Sequence, residues 1–504
     1  MIVDQFLEGI ALGFNIETIA IIFLSLIISI IFGALPGLGG SIAMALFLPI
    51  TLVFEGHQAL IFLIMMYNGA MYGGSISAIL MNVPGTAGAA ASTLDGYPLT
   101  KRGRSYEALV LSALSSGVGG ILADILAIGM IFLIIPIILF LRTSDIFLIT
   151  LLGITLIAFV SEGSVIKGIL AGMFGLLIST IGIAPGIPNL RYTFGFLSLY
   201  DGLSFLAILI GVFALAEMLQ LISTGSGTIS AVEVTSTTSR MEVIRYYFRH
   251  RITIIKSTII GLVVGAIPGS GAAVSNFAAY AEQTRSDSGP TEDSEPAYGE
   301  GNRKGLIAAE GANNSTVDGS VLPTIAFGIP GSGATALLLG GMILHGFVPG
   351  PSMVDENLAV TISIFVALFV GSVAILFFGI VFVTKLDYLT KIDIDYIIPF
   401  VVILGFYGTY AFRVNMVDIL TVFAFGILGY YMKKYDYSII ALIIGVILGP
   451  IAERNFIRAL QIGDGSYVSI IDSPLSFVLF VLVIAVVVSS TIGPALLRRI
   501  KAGE

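Results

Sequence analysis

Apolar residues fill this chain in long runs, without the 3.6-residue or two-residue alternation of a protein that keeps one face in water. Runs such as Ile19–Phe32, Leu358–Val383 and Pro474–Ser489 suit helices that cross a bilayer, which takes roughly 20 residues. A transmembrane β-barrel would show alternating segments of about 10 residues, and none are visible. The pattern therefore predicts an all-α polytopic membrane protein. Residues 1–18 place Phe6, Leu7, Ile10, Ala11 and Phe14 at helical spacing among Asp4, Glu8 and Glu17, which predicts an interfacial helix.

Four Pro-Gly motifs punctuate the apolar runs. They are Gly33-Ala34-Leu35-Pro36-Gly37-Leu38-Gly39-Gly40, Val83-Pro84-Gly85-Thr86-Ala87-Gly88, Gly265-Ala266-Ile267-Pro268-Gly269-Ser270-Gly271 and Ile329-Pro330-Gly331-Ser332-Gly333. Proline removes a backbone donor and glycine frees the chain for left-handed geometry, so each motif predicts a broken helix. In hydrocarbon the freed N–H and C=O groups must face protein, water or a solute. The predicted arms are 19–54 about the first break, 59–80 and 88–94 about the second, 252–267 and 272–282 about the third, and 306–327 and 334–346 about the fourth.

Between and after these units lie further spans near 106–141, 145–161, 165–183 and 201–222, then 358–384, 396–412, 415–432, 436–452 and 474–497. The span 106–141 is long enough to bend or double at Gly117, Gly119, Gly120 or Pro136. A Ser/Thr/Gly-rich connector occupies 223–240, and a charged, weakly apolar loop occupies 283–305.

The first and third motifs align with each other, as do the second and fourth. This predicts an internal repeat: residues 19–232 with a broken-helix unit at 19–105, and residues 233–504 with a unit at 252–346. The first unit ends in the basic loop Lys101-Arg102-Gly103-Arg104, whereas the second begins after Arg240, Arg245, Arg249, Arg251 and Lys256. Short basic loops stay in the cytoplasm, so the two repeats are predicted to run in opposite senses. The N-terminus is then outside and the C-terminus inside the cell membrane.

Composition removes other classes. The chain is 56% hydrophobic and 11% charged, far from the roughly 25% charged residues of a soluble domain. Its net charge of −8 is spread through loops, with no basic, aromatic-interleaved patch for nucleic acid. Cysteine is absent, and His57, His250 and His345 are too scattered to form a metal cluster, so no cofactor or structural metal is expected. Neither a Gly-x-Ser-x-Gly elbow nor a His-Glu-x-x-His helix is present, which argues against an enzyme. Met1–Gln5 lacks a basic start, so the N-terminal segment is expected to stay attached.

Inverted repeats with discontinuous helices are a recurring transporter architecture, in which half-helix N-termini face an anion and unwound carbonyls hold a cation. A helix N-terminus carries about half a positive charge and unpaired N–H groups, enough to hold a carboxylate. The expected carboxylate-binding residues are Gly37, Gly39, Ser41, Asn82, Pro84, Gly85, Thr86, Gly269, Ser270, Gly271, Pro330, Gly331, Ser332 and Thr335. The expected cation ligands are Asn68, Ser75, Glu310, Asn313, Asn314 and Asp318, with sodium or a proton as the coupling ion. Asp124 and Glu217 also fall inside apolar spans and read first as structural. Gly69-Ala70-Met71-Tyr72-Gly73 reads as a helix-packing stripe.

Seven motifs occur in order: Pro36-Gly37-Leu38-Gly39, Tyr72-Gly73-Gly74-Ser75, Asn82-Val83-Pro84-Gly85-Thr86, Asp95-Gly96-Tyr97-Pro98, Glu310-Gly311-Ala312-Asn313-Asn314, Gly328-Ile329-Pro330-Gly331-Ser332 and His345–Pro351. Together they resemble the TctA family, the large membrane subunit of tripartite tricarboxylate transporters, from about residue 20 to about 430. The resemblance implies cation-driven uptake of a di- or tricarboxylate. It also implies two partners, a small membrane subunit and an extracytoplasmic solute-binding protein; apart from the resemblance, the bilayer and a homo-oligomeric copy are expected partners. The competing reading is a channel for small anions, since re-entrant segments also line pores.

Overall fold

Within a bilayer a helix satisfies its own backbone, and the apolar runs take that form. The computed structural model describes residues 2–35, 37–156, 164–184, 189–224, 239–268, 271–287, 295–391 and 397–501. Pro36, Gly269, Ser270, most of the connector 223–240 and part of the loop 283–305 lie outside the described residues.

The first part holds α1 (Ile2–Gly13), α2 (Ile16–Ala34), α3 (Gly40–Phe47), α4 (Gly56–Met81), α5 (Thr93–Lys101) and α6 (Ser105–Leu139). It continues with α7 (Thr143–Thr155), α8 (Val165–Ser179) and α9 (Phe205–Ser223), the last with a π-helical stretch at Ile210–Leu215. The second part holds α10 (Arg240–Arg249), α11 (Arg251–Gly265), α12 (Gly271–Ser286), α13 (Arg303–Phe327), α14 (Gly333–Leu344) and the short α15 (Pro351–Asp355). It ends with α16 (Leu358–Val381), α17 (Ile397–Arg413), α18 (Met416–Lys434), α19 (Ile439–Ile462) and α20 (Pro474–Lys501). The strand content among the described residues is one two-residue antiparallel pair, Gly182–Ile183 with Leu190–Arg191. Seven described helices are long and apolar enough to cross a membrane. The protein is an all-α polytopic membrane protein.

Two long helices form the interior, and they differ in character. α4 is apolar and buried from Gln58 to Met81. α13 is buried over almost its whole length although it carries Glu310, Asn313, Asn314 and Asp318. Small residues let neighbours approach both of them closely. A Cβ on Gly33 would collide with the Ala70 carbonyl, which brings α2 against α4. A Cβ on Gly261 would lie 2.6 Å from the Ala312 carbonyl and one on Gly265 2.7 Å from that of Thr316, which brings α11 against α13. Gly69 and Gly73 also meet α2, as their spacing predicts.

Two expectations change, and one helix gains a neighbour. The span 106–141 is one unbroken helix of 35 residues. Its glycines mark approach rather than bends: a Cβ on Gly119 would stand 2.8 Å from the Gly311 carbonyl, and one on Gly120 2.5 Å from Ser372 Oγ. Pro136 sits in the last turn, where little helix remains to break. The arm expected at 88–94 is a 3-10 turn, Ala87–Ala90, followed by α5, so the chain after the second break does not form a straight arm. Finally, α1 packs along α16, where a Cβ on Gly9 would come within 2.6 Å of the Ala359 carbonyl.

At the basic end, loop, α5, α6, α10 and α13 are tied together by charge. Asp95 Oδ1 accepts from the backbone N–H groups of Gly299 at 2.9 Å, Gly301 at 2.9 Å and Asn302 at 2.7 Å. Arg303 donates to Glu107 at 3.1 Å and to Glu295, and its guanidinium lies 3.6 Å over the Tyr246 ring. Asn302 then caps α13 by accepting from Lys304 N at 2.9 Å. Replacing Asp95 by Ala strands three donors, those of Gly301 and Asn302 buried, and is expected to cost about 1.5–3 kcal/mol. The unfolding midpoint of detergent-solubilised protein should fall, with Asp95→Asn recovering part of the loss.

Candidate functional site

Each break is built from a left-handed residue at a helix end. α4 ends on Asn82 at φ 59°, and α13 ends on Gly328 at φ 70°. Gly37 after α2 has φ 85°, and Gly271 at the start of α12 has φ 62°. The breaks then pack in matching pairs. A Cβ on Gly85 would run into the Gly33 carbonyl, and one on Gly331 would lie 2.8 Å from the Gly265 carbonyl. These two glycines therefore admit a neighbouring backbone, where close approach of a solute had been expected.

The pairs converge on one another. A Cβ on Gly39 would lie 3.4 Å from the Gly85 carbonyl, one on Gly88 2.8 Å from Ala272 Cβ, and one on Gly333 3.5 Å from Ser41 Oγ. All four breaks thus border one cavity of about 720 Å³. Its wall includes Gly37, Gly39 and Ser41 from the first break, and Pro84, Gly85 and Thr86 from the second. Gly271 stands for the third break, and Gly331 and Ser332 for the fourth.

The N-terminal residues of three helices, α3, α12 and α14, lie on that wall. The first N–H groups of a helix have no partner within it. Ser332 caps α14, its hydroxyl accepting from Thr335 N at 3.3 Å while Thr335 Oγ1 accepts from Ser332 N at 2.9 Å. Thr335 therefore supports the cap from a buried position off the wall. Pro330 is also buried and off the wall, and Asn82 is exposed at the end of α4.

Sequence reasoning missed the opposite side. Tyr67 and Met71 of α4, Phe213, Glu217 and Gln220 of α9, Lys433 of α18 and residues 436–440 leading into α19 complete the wall. Lys433 donates to Glu217, and Asp436 adds a further carboxylate to the wall. The available signal was Glu217 inside one apolar span and Lys433 at the end of another, at positions remote in the chain.

The six expected cation ligands lie off the cavity, in a buried polar seam between α4, α6 and α13. Asn314 Nδ2 donates to Asn68 Oδ1 at 2.8 Å. Asn313 Nδ2 donates to the Met71 carbonyl at 3.0 Å and to Ser75 Oγ at 3.2 Å, while its Oδ1 accepts from Asn276 at 3.1 Å. Asn276 also donates to the Gly88 carbonyl, which ties the seam to the second break. Glu310 accepts from Ser92, from Ser112 at 2.9 Å and from Ser116 at 3.1 Å. Asp318 faces Asp124 of α6.

Such a molecule, polytopic, with a solute-sized cavity bordered by broken helices, belongs to the class of membrane transport proteins. The sequence matches the tripartite tricarboxylate transporter TctA family over residues 19–444, and the chain belongs to that family. It is 29% identical over 488 residues to an uncharacterized 52.8 kDa protein in the TAR-I ttuC' 3' region of Agrobacterium vitis, covering 96% of this chain and 95% of that one. An uncharacterized protein in the TAR-II ttuC' 3' region of the same organism is 27% identical over 216 residues, 43% of this chain and 87% of that one. No solved structure matches the chain. Membership makes it the membrane component of a tripartite transporter, which works with companion components.

Glycine positions on the wall separate into two kinds, and substitution should tell them apart. Gly85→Val forces a side chain into the Gly33 carbonyl and is expected to reduce the yield of monodisperse protein in size-exclusion chromatography. Ala87 is exposed on the wall, so Ala87→Trp should leave yield and melting unchanged while filling the cavity.

Proposed function

We propose that the chain carries a di- or tricarboxylate across the cell membrane as a secondary transporter, driven by a sodium or proton gradient. The observation that carries this reading is the convergence of three helix N-termini and the Glu217–Lys433 pair on one cavity. The helix ends offer N–H groups and partial positive charge, and Lys433 offers a full charge that a bound carboxylate can share with Glu217. A volume of about 720 Å³ falls within the 300–1,000 Å³ usual for small-molecule sites.

The two broken units form inverted repeats in this reading. α2 with α4 and α11 with α13 make the same helix pair, each closed by a glycine set on a carbonyl at the break. The basic loop 101–104 follows the first pair, whereas the basic stretch 240–256 precedes the second, so the repeats enter from opposite sides. The N-terminus then lies outside and the C-terminus inside. A small membrane subunit and an extracytoplasmic binding protein deliver the carboxylate.

The test is uptake of labelled di- and tricarboxylates into proteoliposomes holding the full chain with its companion components, under imposed pH or sodium gradients. Accumulation above equilibrium is expected, with loss in Ala87→Trp. Equilibration without accumulation would favour the anion channel, because a channel cannot concentrate a solute uphill; no carboxylate movement at all would refute both. The double replacement Glu217→Gln with Lys433→Gln removes the ion pair without orphaning a charge. It should weaken carboxylate binding about tenfold, or about 1.4 kcal/mol, in a titration of the purified protein.

A further inference from the structure

Asp124 stands near the middle of α6, about 28 Å along the helix from Ser105 and about 22 Å from Leu139. It is 0% exposed, and Asp318 opposite it on α13 is 1% exposed. With both carboxylates ionised, both oxygens of Asp124 and Oδ1 of Asp318 are buried and receive no hydrogen bond. Ser372 of α16 faces Asp124, and Asn314, one turn before Asp318, keeps its own Oδ1 buried and unpartnered. Among the described residues no salt bridge reaches either carboxylate.

The other buried carboxylates are provided for differently. Asp95 has backbone N–H donors, and Glu310 has three serine hydroxyls. Of the titratable groups on helices packed against α6 and α13, Glu310 and Tyr72 lie further along the seam toward the basic end. Glu107 is engaged there by Arg104 and Arg303, Lys256 is paired with Glu282, and Asp145 accepts from Ser473. None of these cations neutralises the Asp124–Asp318 pair.

Two ionised carboxylates cannot face each other in a dry interior without a neutralising partner. Here the two side chains lie within hydrogen-bonding reach of each other, an approach that one O–H between them accounts for. We propose that Asp124 and Asp318 form a proton-binding site, holding one shared proton between α6 and α13 and exchanging it during the transport cycle. In the loaded state one carboxyl O–H donates to an oxygen of the other carboxylate. On release the proton passes to water, and the pair is left with two like charges that drive α6 and α13 apart. The link to the solute is α13 itself, whose end at Gly328 lies about 15 Å beyond Asp318 and leads directly into the fourth break.

The exchange step rests on the transport reading above, whereas the shared proton does not, so two measurements separate them. In the full chain in proteoliposomes at neutral pH, infrared spectroscopy should show the absorption of a protonated carboxylic acid. The double variant Asp124→Asn, Asp318→Asn should lose it and Glu310→Gln should keep it; persistence in the double variant overturns the site. Asparagine mimics the neutral acid, so the melting temperature should hold, and Asp318→Glu provides a second variant that retains the acid. In uptake assays Asp124→Asn and Asp318→Asn should still exchange labelled for unlabelled carboxylate but lose all acceleration by a pH gradient. Full retention of that acceleration refutes the exchange step while leaving transport standing, as does wild-type accumulation that follows sodium and ignores pH. A wild type that exchanges no carboxylate sinks the transport reading alone, because the infrared result still decides the proton site.

Discussion

A peptide group inside hydrocarbon must be hydrogen-bonded, and this protein is shaped by how it meets that demand where its helices stop. Four interruptions would be ruinous if they faced lipid. They are instead gathered against one another, so that each unravelled segment has protein on one side and a shared cavity on the other. Glycine makes this possible by letting backbone touch backbone: Gly85 rests on the end of α2 as Gly331 rests on the end of α11. The same residues that break the helices therefore also join the breaks.

Charge follows an analogous logic. A buried carboxylate is tolerable only when something answers it, and the answers grade from the rim to the interior. Asp95 near the basic face is answered by three peptide N–H groups, and Arg303 there is shared between Glu107 and Glu295. Glu310 is answered by hydroxyls alone. Deepest, Asp124 and Asp318 have each other. Because α13 carries Arg303, Glu310 and Asp318 and ends at the fourth break, its charged groups and the cavity are joined by one helix.

Separation of the cavity from the polar seam has a mechanistic consequence. The wall is lined by small residues, Tyr67, Phe213 and Tyr437, the Glu217–Lys433 pair and Asp436, whereas the asparagines and carboxylates expected to bind a cation stand behind it. The bridge between them is Asn276, which bonds both Asn313 and the Gly88 carbonyl. In the proposed transport cycle, coupling would pass through helix position rather than through ligands shared by solute and ion.

Long uninterrupted apolar runs and the Pro-Gly motifs made the membrane class, the family and the places of helix rupture readable from the chain alone, because lipid imposes a local rule on every residue it surrounds. Glycines gave less. Gly117, Gly119 and Gly120 suit a bend as well as a close contact, and only the neighbour, Gly311 or Ser372, distinguishes the two. Pairings across the chain were beyond reach for the same reason: that Glu217 meets Lys433, or Asp124 meets Asp318, depends on which helices become neighbours. Local composition decides where a chain must break and what it must bury; which buried group answers which is decided by packing between segments hundreds of residues apart, and that exists only in the assembled fold.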